Sequence, residues 1–112
     1  MIERYEDIER LTLQALGRLV KGARGSCVTF TCKKLAKIAN LSTKPITLTL
    51  VREVLEQLRR EGLIEIYKIS SHGIKYTITR SSPLWHFYKR AALTDWKTLS
   101  VSRVIAITKS RE

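Results

Sequence analysis

The chain has 112 residues, with 21 Lys and Arg against 10 Asp and Glu and a formal charge of +11. Its 44% apolar and 28% charged residues exclude wholesale disorder, its length fits one domain of roughly 100–200 residues, and no apolar run approaches the ~18 residues of a membrane-crossing helix. The charge, with a sequence pI near 10.1, points to a polyanionic partner, most commonly nucleic acid, against a basic face that only confers solubility or docks on a ribosome or an acidic protein.

The start, Met1 to Asp7, is acidic and amphipathic, which predicts no secretory leader. Residues 2 to 21 read as a helix, because Tyr5, Ile8, Leu11, Ala15, Leu16, Leu19 and Val20 repeat every three or four positions. Glu6 and Arg10 are expected to pair along it, and Gly22 and Gly25 to end it. Cys27 to Thr31 is β-branched and aromatic, a short strand. Thr31 is then the expected cap of a helix with Leu35, Ile38 and Ala39 inside, Lys33, Lys34 and Lys37 outside, and Asn40 at its end.

Leu41 to Pro45 reads as a turn. Thr43 or Lys44 would cap the next helix, which takes Pro45 in its first turn, buries Leu48, Val51, Val54, Leu55 and Leu58, and stops at Gly62. The runs 63–69 and 74–80, separated by Ser70-Ser71-His72-Gly73, predict a β-hairpin. Ser82-Pro83 opens a further helix carrying Trp85, Phe87 and Tyr88. Residues 94–112 fit helix and strand about equally, and helix is the reading taken. The aromatics there, with Trp96, are expected in a core or a dimer interface rather than as base-stacking platforms.

Cys27 and Cys32 match no common zinc spacing. Both read as small buried or half-buried residues. A disulfide stays open, since Asn40, Gln14 and Gln57 are the only amide side chains, a composition seen where intracellular bridges occur. The chain has no GxGxxG, GxxxxGK, HExxH or GxSxG run, and nothing orients either cysteine with His72 or His86 as a nucleophile pair. The expectation is a non-enzyme with no cofactor, no metal and no small-molecule ligand.

Sign segregation is more telling than net charge. Four of the ten acids lie in the first nine residues, and none lies between Arg10 and Arg52, a stretch that holds Arg18, Lys21, Arg24, Lys33, Lys34, Lys37 and Lys44. Glu53, Glu56 and Glu61 follow only in the second half of the 45–61 helix.

The order of helix, strand, helix, turn, helix and hairpin is carried by Leu35-Ala36-Lys37-Ile38-Ala39-Asn40 and by Val51-Arg52-Glu53-Val54-Leu55-Glu56, continuing to Gly62-Leu63-Ile64. Over about residues 5 to 80 it resembles a winged helix-turn-helix. The size and the amide-poor, basic composition resemble small crenarchaeal winged-helix DNA-binding proteins.

The resemblance implies an α+β fold of three helices plus a β-hairpin wing over 1–81. An appended helical segment, 82–112, would serve packing or homodimerisation. It also implies a cytoplasmic, nucleoid-associated protein that binds double-stranded DNA as a transcriptional regulator or a small chromatin-associated protein. A protein- or RNA-interaction module of the transcription or replication machinery is the alternative. In the implied docking, the third helix enters the major groove with Ser42, Thr43, Lys44, Thr47, Thr49 and Arg52. The second helix crosses the backbone with Lys33, Lys34 and Lys37, and the wing contributes Lys68, His72 and Lys75. One Arg among Ser, Thr and Ile offers few bidentate base contacts, which implies modest sequence specificity.

Overall fold

The apolar stripe of the first segment closes into helix α1 (Tyr5–Gly22) in a computed structural model that describes residues 4–90 and 99–109. Strand β1 (Cys27–Phe30), helix α2 (Cys32–Ile38), helix α3 (Pro45–Arg60), strands β2 (Glu65–Ser70) and β3 (Gly73–Thr79), helix α4 (Pro83–Arg90) and helix α5 (Val101–Lys109) follow. The described residues thus form an α+β fold of five helices and one three-stranded antiparallel sheet in the order β1-β3-β2. The expected hairpin is present but not alone. The β-branched run Cys27–Phe30 pairs with β3, placing Val28 opposite Ile78 and Phe30 opposite Tyr76.

Helix ends are set by side chains and by two left-handed residues. Thr31 caps α2, its hydroxyl accepting from the Lys34 amide at 3.1 Å. Lys44 stands at the N-cap of α3 without a side-chain cap bond; the Ser42 hydroxyl instead accepts from the Lys44 amide at 3.1 Å. Pro45 sits in the first turn, where a missing N–H costs nothing. Asn40 ends α2 at φ 60°, with the Leu41 amide donating to Ala36 O at 2.7 Å and the Asn40 amide to Lys37 O at 3.1 Å. Gly62 ends α3 the same way at φ 76°, with Leu63 N to Leu58 O at 3.0 Å and Gly62 N to Arg59 O at 2.9 Å. These two turns aim α3 and the β2–β3 hairpin. A Cβ at Gly62 would meet nothing within 4 Å, so Gly62→Ala is expected to cost only the left-handed penalty, about 1 kcal/mol. Urea unfolding checks this as a lower midpoint at unchanged slope.

The expected Glu6–Arg10 pair is replaced by Asp7–Arg10 at 3.4 Å, one residue closer along the same helix. On β2 the alternation breaks. Ile66 faces Tyr76 and Ile69 faces Ile74, with Tyr67 the extra residue of a bulge between them. The bulge puts both isoleucines on the face of Tyr76 and Ile74, although three positions separate them. Every residue of β2 is exposed.

The core joins every described helix with strands β1 and β3. Leu13 and Leu16 of α1, Leu35 of α2, Val51, Leu55 and Leu58 of α3, Phe30 and Tyr76 of the sheet, Leu84, Trp85 and Tyr88 of α4, and Leu99, Val101 and Val104 at α5 form one buried cluster. The Tyr88 hydroxyl donates to Leu13 O at 2.6 Å. Lys89 reaches back over Trp85 to donate to Ala23 O at 2.9 Å, a cation at the C-terminal end of α1. Trp85 and Tyr88 are therefore core residues of the monomer. Residues 101–109 are helical, as read from sequence; Trp96 and positions 94–98 lie outside the described residues.

Both cysteines are free. Extended β1 alone carries the chain about 10 Å away from Cys27 before α2 begins, at roughly 3.3 Å per residue, beyond the ~7 Å a disulfide spans. Cys32 is half-buried, but Cys27 is exposed rather than buried, because it lies at the outer end of an edge strand.

Candidate nucleic-acid interface

Helix α3 is amphipathic, and its orientation decides which of the sequence-derived contacts are available. Thr47, Val51, Val54, Leu55 and Leu58 share its buried stripe. Thr47 is only 6% exposed, so the expectation that it contacts DNA is corrected: its spacing of four from Val51 turns it into the core. Thr43, Lys44, Ile46, Thr49 and Arg52 face outward and are exposed, and Ser42 is half-buried. The Thr49 hydroxyl donates back to Pro45 O at 2.8 Å, leaving its lone pairs and methyl group to the outside. On α2, Lys33, Lys34 and Lys37 are exposed, and on the hairpin Lys68, His72 and Lys75 are exposed.

A cleft of about 400 Å³ lies where α2, α3 and the hairpin meet. Thr31, Cys32 and Lys33 form one wall, Leu48, Thr49 and Arg52 the second, and His72, Gly73, Ile74 and Tyr76 the third. A second depression of about 220 Å³ shares Thr31, His72, Gly73 and Ile74 and adds Lys68, Ser70 and Lys75. The two adjoining hollows bring together Lys33, Thr49, Arg52, Lys68, His72 and Lys75. Lys34, Lys37, Ser42, Thr43 and Lys44 lie outside both.

The glutamates of α3 and of its C-cap are occupied. Glu53 pairs with Arg60 at 3.3 Å, Glu56 with Arg59 at 2.9 Å and Glu61 with Lys109 at 2.6 Å. Glu56 also accepts from the Tyr76 hydroxyl at 2.8 Å, behind the cleft wall. The Arg59 hydrogen bond holds the Glu56 carboxyl below its ordinary range, and burial followed by the Glu56 contact raises the Tyr76 phenol. Burial pushes the Cys32 thiol up to about 11, against the pull of Arg52, so it lines the cleft as a neutral thiol at physiological pH. By contrast Lys33, Lys34, Lys37, Lys44, Arg52, Lys68 and Lys75 make no ion pair among the described residues.

Because the folded state depresses the Glu56 carboxyl relative to its unfolded value, ionised Glu56 adds stability above the unfolded pKa, and that stability is lost as pH falls through the folded one. Glu56→Gln is expected to be destabilised at neutral pH, with the gap to the parent chain closing as pH falls below about 4, near the ordinary glutamate value. Urea midpoints at a series of pH values measure that gap.

Sequence reasoning missed Thr31, Cys32, Leu48, Ile74 and Tyr76 as cleft-lining residues, because the cleft exists only once the hairpin folds over the start of α2. Among the described residues, no group of three His, Cys, Asp or Glu is placed to hold a metal ion, and no helix is long and apolar enough to cross a membrane. No family model matches the chain, and no curated protein or solved structure shows significant similarity to it.

Proposed function

We propose that the chain is a winged helix-turn-helix protein that binds double-stranded DNA, with α3 in the major groove, α2 across the phosphate backbone and β2–β3 as the wing. The observation that carries this reading is the pair of adjoining hollows lined by His72 and rimmed by Lys33, Arg52, Lys68 and Lys75, four cations that make no ion pair among the described residues. Such a surface is costly to leave without anions and matches a sugar-phosphate strand in charge. A major groove about 12 Å wide admits one helix, and the exposed N-terminal half of α3 is free of acids. The same helix does not fit the deep, narrow major groove of duplex RNA, so duplex DNA is the preferred partner. The activity fits a regulator or a small chromatin-associated protein.

Amide NMR spectra titrated with a short DNA duplex test the orientation. Signals of Lys33, Thr49, Arg52 and Lys75 are expected to shift while those of α4 and α5 stay fixed. Shifts confined to α4 and α5, or stronger binding to duplex RNA, would contradict it.

A further inference from the structure

Ile46 stands out on α3. It is 74% exposed, the most exposed of the large hydrophobic side chains on the described surface. It sits in the first turn, in one row with Thr49 and Glu53. Glu53, further along the row, is turned to Arg60. Scattered exposed apolar residues are ordinary. Here the side chain lies at the leading end of α3, whose first half is free of acids, between the N-cap Lys44 and the exposed Thr49. If that face enters a major groove, Ile46 loses its water to whatever apolar group the base edges present. The major groove presents one such group, the C5-methyl of thymine; the other base-edge groups there are hydrogen-bond donors and acceptors that an isoleucine would leave unpaired.

We infer that Ile46 is a specificity-determining residue that packs on thymine C5-methyl groups, so that the DNA taken by this face is A·T-containing duplex with methylated pyrimidine edges. This rests on the duplex-DNA reading above. The contact is a methyl-sized apolar burial, so each thymine met by Ile46 should contribute about a fourfold gain in affinity, the equivalent of ~0.8 kcal/mol per buried CH₂. Cytosine carrying a 5-methyl group places the same carbon at the same edge and should gain similarly over plain cytosine. The reading needs no hydrogen bond, so it sets a preference without strict sequence specificity.

The test uses the full chain and four short duplexes: alternating A·T, the same with deoxyuridine for thymidine, alternating G·C, and the same with 5-methylcytosine. The parent chain is expected to bind the methylated member of each pair several-fold more tightly. Ile46→Ala, at an exposed position, is expected to erase both differences by lowering the affinity for the methylated duplexes to that for their unmethylated counterparts. Equal affinity of the parent chain for thymine and uracil duplexes would overturn the inference and leave the DNA reading standing. A methyl preference that survives in Ile46→Ala would assign it to another residue and overturn the inference as well. Absence of binding to every duplex would overturn the DNA reading itself, and the inference with it.

Discussion

Tyr88→Ala is expected to destabilise the fold by about 3–5 kcal/mol, the range for removing a fully buried aromatic side chain. The ring has no exposed surface and packs beside Phe87 at a centroid distance of 5.3 Å, and its hydroxyl donates into α1 at Leu13 O. Small domains hold only about 5–15 kcal/mol in total, so the variant should be near the edge of folding at 37 °C. Tyr88→Phe removes one hydrogen bond and keeps the volume, and should cost about 0.5–1.5 kcal/mol. Urea unfolding separates the two. The comparison bears on function because α1, which Tyr88 anchors, supports α3 from behind. If Tyr88→Ala were as stable as the parent chain, α4 would be an appendage and residues 82–112 a separable extension.

Arg52→Ala is expected to weaken binding to duplex DNA by about 1–3 kcal/mol if the guanidinium reads a base edge, and to reduce the salt dependence by about one unit if it meets a phosphate. The fold should be indifferent, within about 0.5 kcal/mol, since the side chain is exposed and outside any ion pair among the described residues. Arg52→Lys distinguishes the two roles. A lysine keeps the charge but not the planar fork, so a phosphate contact survives the exchange and a bidentate base contact does not. Footprints unchanged by either substitution would remove Arg52 from the interface.

Helix α1, the caps of α2 and α4, the stop at Gly62 and the hairpin follow from local signals: periodicity of the apolar residues, Thr31 and Ser82 as hydroxyl caps, and glycine in the left-handed region. Thr47 was misjudged because a polar residue in an exposed-looking run was assigned by type. Its spacing to Val51 and Val54 would have placed it inside. The third strand was legible as a strand but not as a partner of β3, since pairing across some fifty residues leaves no local trace. The bulge at Tyr67 was hidden for the same reason: only the partner strand shows that Ile66 and Ile69 share a face. The site was legible as a set of cations and not as a cleft. Charge segregation marked Lys33, Arg52, Lys68 and Lys75, while Thr31, Cys32 and Tyr76 join them only through tertiary packing. The unlike fates of the glutamates and lysines, one set paired with Arg59, Arg60 and Lys109 and the other left open, belong to the folded molecule alone.

In the proposed complex the unpaired cations of α2, α3 and the hairpin act together on one phosphate-bearing strand. The affinity for a DNA duplex measured across a series of salt concentrations tests it most directly, for the parent chain and for Lys33→Ala/Arg52→Ala/Lys75→Ala. Log affinity should fall linearly with log salt at about 0.9 per phosphate neutralised, a total of several units, and the triple variant should lose two to three of those units, roughly one for each cation removed. A slope near zero, or a steep slope that the triple variant leaves unchanged, would contradict the account.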